Sequence, residues 1–433
     1  MNHPPLAQEV IRNVCAYMRA STLVAMALTC RDFLEPALDA LWYDVAFWKP
    51  FISCLQSTKE LWTITTRPLE GNPRITVDVL YPRRVITLED LDRYLTYYAP
   101  RIRDLHLGLH QTTVLSIEAW KALHVATDGK RGVLSPLLKT FYWSSPEDIA
   151  FTMGEDAARQ ISPYMSLFLS DSITSLSFDV PQQLPLHAKS LEEAIKRLPR
   201  LRCLNIYDES ERSEPEGRAS IKEFITSIPL QYLEKLTVSF VTTSMVRHLA
   251  LLPHLKALCI QGENETIIDL EMTAGSDLIC GSFSSLNSLR IHRTTASKFR
   301  NLLCYIPPTN VITEIKCVTD ETASTSEIQE TIDTMPFHCN PLTLETLWFN
   351  DFRYSRSTDE PMELDLTQEV QKVAELESPE VRQSGVRGPR SVRPRVRLSG
   401  ACGPPAVDFG DMQSEAAGGR NRFPGTRPPP RSH

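Results

Sequence analysis

The chain of 433 residues carries a net charge of −7 and is 42% hydrophobic and 23% charged, which is typical of a soluble globular protein with two or three domains. It contains no run of 18 apolar residues and no basic flank before an N-terminal apolar core, so we expect neither a membrane span nor a secretory signal. The ten cysteines stand singly, without a C-x-x-C pair. This pattern favours reduced thiols in a cytoplasmic and/or nuclear protein over disulfides or zinc sites.

The charge is distributed unevenly along the chain. Residues 378–433 contain ten arginines and four acidic residues, so they carry +6 and residues 1–377 carry −13. Because contacts with phosphate need a basic surface, the acidic body argues against nucleic acid as the main partner.

Three short helical patterns occupy the first 42 residues. Apolar residues at spacings typical of one helix face predict each helix. Ser21 is suited to cap the second helix, because its hydroxyl can accept a hydrogen bond from the first turn. About 40 residues form a very small core, so we expect these helices to keep an apolar face for a partner. The patterned residues are Leu6, Val10, Ile11, Val14, Tyr17 and Met18, then Leu23, Met26, Ala27 and Leu28, then Phe33, Leu38, Leu41 and Trp42.

The same stretch resembles the F-box, in the version common among fungal F-box proteins. The resemblance rests on Pro5-Leu6, Glu9-Val10-Ile11, Tyr17-Met18, Ser21-Thr22-Leu23, Leu28-Thr29-Cys30-Arg31-x-Phe33 and Glu35-Pro36-Ala37-Leu38-x-x-Leu41-Trp42. An F-box binds the small adaptor subunit of a cullin–RING ubiquitin ligase, while the rest of the chain selects the substrate. The adaptor-binding residues that the resemblance implies are Pro5, Leu6, Val10, Ile11, Val14, Leu23, Leu28, Cys30, Phe33 and Leu38.

On this interpretation the F-box covers residues 1–48 and a connecting segment covers residues 49–86. We expect Trp42 to seal the junction between the F-box and the next segment. The alternating residues Ile75, Val77 and Val79 predict a strand in the connecting segment. The alternative is an ordinary N-terminal helical hairpin packed on its own domain, because helical periodicity alone does not separate the two arrangements.

A repeated unit begins after residue 87: an apolar residue, two of any kind, an apolar residue, one of any kind, and an apolar residue. Nine such units recur at spacings of 22 to 36 residues. An irregular period of this length is typical of a degenerate leucine-rich repeat, in which each repeat contacts only its neighbours. The units are Ile102/Leu105/Leu107, Leu138/Phe141/Trp143, Ile173/Leu176/Phe178, Leu201/Leu204/Ile206, Leu233/Leu236/Val238, Leu255/Leu258/Ile260, Leu286/Leu289/Ile291, Ile312/Ile315/Cys317 and Leu344/Leu347/Phe349.

The segments between these units predict helices. Thr87-x-x-Asp90, Ser190-x-x-Glu193 and Ser220-x-x-Glu223 have the spacing of capping boxes at helix starts. Five amphipathic stretches run into prolines, which cannot continue a helix: Pro100, Pro199, Pro229, Pro253 and Pro307.

Helix, proline and strand in repetition predict an α/β fold over residues 87–356. We expect an irregular leucine-rich-repeat solenoid with parallel strands on one face and helices on the other. The alternative is a doubly wound α/β domain, although no Gly-rich strand-to-helix turn of the nucleotide-binding type occurs. Residues 357–433 are predicted to be a disordered tail with one helix near 366–376, because large apolar residues become rare there.

The sequence shows none of the common catalytic or nucleotide-binding motifs. It lacks the P-loop, nucleophile-elbow and H-E-x-x-H patterns, so we expect no enzymatic activity, no cofactor and no metal site. His106 and His110 fall on a strand unit and the following turn, where helical metal-binding spacing does not apply. The acidic residues between Asp208 and Glu216 are interpreted as a solvated loop, with recognition of a basic substrate segment as the alternative.

A solenoid offers outward-facing strand positions as a binding surface, because side chains alternate across a strand. The predicted substrate-binding residues are His106, Asn205, Tyr207, Thr237, Gln261, Arg290, His292, Trp348 and Asn350. We therefore expect a substrate-recognition subunit of a cullin–RING (SCF-type) E3 ubiquitin ligase, with the adaptor and a protein substrate as partners and neither nucleic acid nor membrane. The alternatives are a ligase-independent interaction scaffold and, less favoured, an α/β enzyme with an unrecognised active site.

Overall fold

The computed structural model describes residues 8–46, 48–55, 58–69, 72–107, 113–143, 160–179, 192–207, 215–262, 267–270, 282–319, 324–340, 342–351 and 395–396. Within them the helices are α1 (Gln8–Ala16), α2 (Ala20–Thr29), α3 (Arg31–Leu41), α4 (Trp48–Cys54), α5 (Thr58–Leu61), α6 (Leu88–Tyr97), α7 (Ile117–Ala126), α8 (Pro215–Ser227), α9 (Thr243–Ala250), α10 (Ala296–Leu303) and α11 (Thr325–His338). The strands are β1 (Asp44–Val45), β2 (Trp62–Leu69), β3 (Asn72–Pro82), β4 (Asp104–Leu107), β5 (Thr113–Leu115), β6 (Thr140–Trp143), β7 (Ser175–Asp179), β8 (Cys203–Tyr207), β9 (Lys235–Val238), β10 (Phe240–Thr242), β11 (Ala257–Gln261), β12 (Ile267–Asp269), β13 (Ser288–Thr294), β14 (Glu314–Thr319), β15 (Thr346–Asp351) and β16 (Arg395–Val396).

Helices α1 to α3 form a small helical unit, residues 8–41, in which α1 and α2 both pack on α3. The prediction that Ser21 caps α2 is wrong. The backbone is extended at Arg19 and already helical from Ala20, which places Ser21 inside the first turn. The fully buried side chains of the unit's own core are Ile11, Cys15, Leu23 and Ala37.

Most strands belong to one parallel sheet, with the order β1-β4-β6-β7-β8-β9-β11-β13-β14-β15-β16. Strands therefore lie in the sheet in the order in which they occur in the chain. The order never reverses, so the described strands lack the switch point that defines a doubly wound sheet. The fold is α/β with a mostly parallel central sheet, which is compatible with a solenoid.

The strand triplets predicted from the sequence align in this sheet. The row that begins with Leu105 opposite Phe141 continues through Leu176, Leu204, Leu236, Leu258, Leu289, Ile315 and Leu347. These side chains are all buried in one continuous core, whereas most intervening side chains are partly exposed. The alternation confirms the predicted core face of each strand, since a register slip of one residue would have reversed it.

A regular hydrogen-bond ladder joins successive units just before each strand. The carbonyl of Tyr43 accepts from the amides of Arg103 and Asp104, both at 2.9 Å. The carbonyl of Arg103 accepts in the same way from Lys139 and Thr140, and the pattern repeats to Thr313, which accepts from Glu345 and Thr346. The first step places the residues after α3 in the same ladder as the repeated units.

Helices between the strands add their apolar sides to the same core. Thr87 and Asp90 form the predicted capping box of α6. The prediction that Ser220 starts a helix is wrong, because α8 begins at Pro215, and proline is favoured in a first turn. The third predicted capping box begins at Ser190, which lies outside the described residues.

Four helices, α4, α5, α7 and α11, have no counterpart among the predicted elements. Ser116 caps α7 by accepting from the amide of Ala119. Ser324 and Glu327 form a capping box at the start of α11.

The connecting segment packs through aromatic side chains on the region from residue 87 onward, which we call the body. Trp48 lies edge-on to Trp120 with ring centroids 5.1 Å apart, and Phe51 lies edge-on to Tyr94 at 4.6 Å. β2 and β3 form an antiparallel hairpin, which β5 extends in parallel beside β3. The predicted strand around Val77 lies within β3.

The C-terminal tail is described only at residues 395–396, where β16 pairs in parallel beside β15. The predicted disorder of residues 357–433 and the predicted helix near 366–376 otherwise lie outside the described residues.

Candidate functional site

Apolar side chains are exposed along two helices of the helical unit. On α1, Val10 and Val14 stand one turn apart and are about half exposed, and Tyr17 follows just past the helix end with 92% exposure. On α2, Val24 and Leu28 are also one turn apart, and Leu28 is 82% exposed. Residues four apart share one side of a helix, so each helix carries an apolar stripe towards solvent.

The size of the helical unit explains these stripes. Only a few side chains fit between three short helices, and α1 and α2 each pack one side against α3. Scattered exposed apolar residues are ordinary on a protein surface, whereas grouped ones mark an interaction site. The two stripes are therefore a candidate docking surface for another polypeptide.

The predicted adaptor-binding residues differ in exposure. Val10, Val14, Leu28 and Cys30 are exposed, Phe33 and Leu38 are half-buried, Ile11 and Leu23 are buried inside the unit, and Pro5 and Leu6 lie outside the described residues. The buried members hold the helices together and do not face a partner. The sequence-based set omits the exposed Tyr17, Val24 and Leu34, although the spacing of Tyr17 from Val10 and Val14 gives a signal for it.

A buried indole, two ion pairs and a short strand pairing join the helical unit to the body. The indole of Trp42 is buried in the main core with its ring 4.6 Å from that of Tyr98, as expected from the sequence. Arg101 of the body donates to Glu35 of α3 at 2.5 Å and also to Asp39. β1 then pairs in parallel with β4.

The second candidate surface is the open face of the parallel sheet, defined as the side chains of the main-sheet strands that point away from the core. The predicted substrate-binding residues occupy positions of this face: His106, Asn205, Tyr207, Thr237, Gln261, Arg290, His292 and Trp348, with Asn350 at the equivalent position of β15. Tyr142 of β6 belongs to the same face but not to the predicted set, and it is paired with His106, with ring centroids 6.1 Å apart.

Acidic side chains lie at the N-terminal end of the open face. Asp44 of β1 is paired with Asp104 of β4, and the Nε2 atom of His106 lies 3.9 Å from an Asp44 oxygen. Burial raises the pKa of Asp44, the charge of His106 opposes that shift, and Asp104 adds to it.

Basic side chains lie near the C-terminal end. Arg290 donates to Glu314 through Nε at 3.2 Å and Nη2 at 2.9 Å, and Lys316 contacts the other oxygen of Glu314 at 2.5 Å. Ser288 also donates to Glu314, at 2.7 Å. Partial burial favours a higher pKa for Glu314, but hydrogen bonds from Lys316, Ser288 and Arg290 outweigh it and lower the pKa to about 2. Glu314 is therefore ionised at neutral pH.

Between these ends the open face carries small or uncharged side chains. Ser177 accepts a hydrogen bond from Asn205 at 2.8 Å, and Thr237 and Cys259 follow on the next strands. The exceptions are Lys235 of β9, which is exposed, and Asp179 of β7, which is paired with Tyr207.

The part of the chain that the structure describes contains no group of three His, Cys, Asp or Glu side chains placed to hold a metal ion, and no helix long and apolar enough to cross a bilayer. No protein-family model matches the chain, and no curated protein is significantly similar to it.

Proposed function

We propose that this chain is a substrate-recognition subunit of a cullin–RING ubiquitin ligase. The helical unit would be an F-box that binds the adaptor, and the parallel strand array would be a degenerate leucine-rich-repeat domain that holds a protein substrate. The chain would perform no covalent chemistry. It would raise the concentration of its substrate near a ubiquitin-loaded enzyme, an effective-concentration mechanism.

The observation that carries the proposal is the pair of exposed apolar stripes on the helical unit. They lie within the residues that resemble the F-box, and Val10, Val14 and Leu28 belong both to that resemblance and to the exposed set. The chain-order arrangement of strands supports the repeat assignment, because a solenoid stacks each unit on the preceding one.

The test is co-purification of the full chain with the recombinant adaptor, intact and as Leu28→Asp. Burying a Leu side chain is worth about 1.5–3 kcal/mol, and burying an unpaired carboxylate adds a further cost, so binding should weaken about 100-fold or more. Leu342→Asp is the matched control, because Leu342 is 92% exposed and lies outside the helical unit. This control should bind normally.

Both substitutions replace exposed side chains, so the midpoint of thermal unfolding, measured by circular dichroism, should be nearly unchanged. Failure of the intact chain to bind the adaptor would contradict the ligase proposal and favour the interaction scaffold. Equal loss of binding in both variants would contradict the assignment of the docking surface.

A further inference from the structure

Two cations of the open face share one carboxylate near its C-terminal end. Arg290 of β13 is paired with Lys316 of β14, and both contact Glu314. The Arg290 and Lys316 side chains are 47% and 36% exposed, whereas Glu314 is 21% exposed. The surface that a partner meets is therefore the positive part of this group.

Two more basic residues of β13 lie beside them. Burial lowers the pKa of His292, and the charges of Arg290, Arg293 and Lys316 lower it further. His292 is therefore mainly neutral at neutral pH and contributes a hydrogen-bonding imidazole beside the two cations rather than a charge. We call Arg290, His292, Arg293 and Lys316 the basic cluster.

The backbone under the basic cluster is irregular. Register between β13 and β14 shifts between Ile291 and Thr294, and Arg293 has a φ of 55°. A left-handed conformation is unfavourable for a non-glycine residue, and such strain together with β-bulges is concentrated at functional sites, where it re-aims side chains.

Glu314 fixes the geometry of the cluster. With three donors from Ser288, Arg290 and Lys316, it holds both cations in place before any ligand arrives. Holding long side chains in advance reduces the entropy lost on binding. Trp348 is paired with Lys316 on the neighbouring strand, and Arg and Trp are residue types that anchor interfaces.

The ligand chemistry follows from the charges. A positive surface complements an acidic partner, and it lies on a chain whose residues 1–377 carry −13. Glu314 already occupies the Nε–Nη2 edge of Arg290, so neither a phosphate nor a carboxylate can bind that edge in a bidentate way. A dianionic phosphate would also lie beside the Glu314 charge, so a singly charged carboxylate fits better.

We propose that the basic cluster binds a segment of a protein partner rich in Asp and Glu side chains. That this partner is a ubiquitylation substrate rests on the proposed function. The binding chemistry does not, because it depends only on the open face.

The test is fluorescence anisotropy of the full chain with a labelled peptide of alternating Glu and Ser residues. The peptide should bind the intact chain, and the double variant Arg290→Gln with Lys316→Gln should bind about tenfold more weakly or worse. Lys316→Gln alone has Lys235→Gln as its matched control, since Lys235 is an exposed cation of the same face outside the cluster. The control should bind like the intact chain.

Two analogue peptides identify the recognised group. A peptide with Gln in place of Glu should not bind, and a phosphoserine peptide without Glu should bind more weakly than the Glu peptide. Preference for the phosphoserine peptide, equal binding of the Gln peptide, or an unaffected double variant would overturn the proposal. Adaptor binding, measured on the same variants, should be unchanged because it uses the helical unit. If the intact chain fails to bind the adaptor while the peptide results hold, the ligase proposal falls and the acidic-segment site stands.

Discussion

Trp42 is the residue whose removal should most selectively uncouple the helical unit from the body. Its indole is buried in the main core against Tyr98, one residue beyond the end of α3. The same position lies next to Tyr43, whose carbonyl starts the hydrogen-bond ladder. Trp42→Ala therefore removes packing from the one place where the chain passes from the helical unit into the sheet.

The loss of stability expected for Trp42→Ala follows from the burial of side chains on both sides of the junction. A buried Trp→Ala change costs about 3–5 kcal/mol, and the ring lies at the edge of the core, so about 3 kcal/mol is expected. The unit's own core holds only four buried side chains, Ile11, Cys15, Leu23 and Ala37, which is little for three helices. The helices therefore depend on the junction, and its loss should open them before the body unfolds.

Hydrogen exchange followed by mass spectrometry measures this directly. Peptides from residues 8–41 should exchange about 100-fold faster in Trp42→Ala, while those from the central strands β8 and β11 should keep their protection. Trp120→Ala is the matched control, because Trp120 is equally buried but lies in the body. It should loosen the body without this selectivity. Acceleration of less than about fivefold in residues 8–41, or equal acceleration everywhere, would refute the reasoning.

Two further predictions concern the contribution of Asp90 to stability and the reactivity of the cysteines. Asp90→Asn should lower the free energy of unfolding at neutral pH by about 1–2 kcal/mol in urea titrations, because Asp90 accepts from Arg84 and Thr87. Hydrogen bonds from Arg84, opposed by burial and aided by Thr87, lower the pKa of Asp90 from 3.8 to about 2. Its contribution is therefore complete above pH 3.8 and is lost as the pH falls through about 2, a dependence that Asp90→Asn should lack. An unchanged acid limb would contradict that assignment. Among the described cysteines, exposed Cys30 should be alkylated fastest by N-ethylmaleimide, whereas Cys54 and Cys339, whose pKa values burial raises to about 11 and 12, should react only after unfolding. Peptide mass spectrometry would show the order, and rapid native labelling of Cys339 would contradict its burial.

The strand register was predictable from the sequence because one face of each strand is buried. Leu204 and Ile206 on β8, or Leu289 and Ile291 on β13, are apolar at alternate positions, and only one register places both in the core. The open-face positions of Arg290 and Trp348 follow from the same alternation. Parallel pairing was expected from the helices predicted between several of the units, because a helical crossover brings the chain back to run in the same direction.

Which apolar residues of the helical unit are buried and which are exposed was not predictable in the same way. Ile11 and Val10 are neighbours in the sequence with similar side chains, yet Ile11 is buried and Val10 is half exposed. Which of them faces α3 depends on how α1 and α2 share that helix, which is a tertiary property. Helix starts have the same limitation, since both Ser21 and Ser220 have capping chemistry but lie inside helices that begin earlier.

The basic cluster also needed the structure, because its members are joined across strands. Glu314 and Arg290 are 24 residues apart and meet only through the β13–β14 pairing, and the bulge at Arg293 has no signature in the sequence. The same parallel ladder fixes the distance between this cluster and the helical unit, because its first step runs from Tyr43 to Arg103 and Asp104. If the helical unit holds an adaptor, a segment bound at the cluster is held at a fixed separation from it. Loosening the junction at Trp42 should then weaken ubiquitylation of a bound substrate without weakening its binding at the cluster.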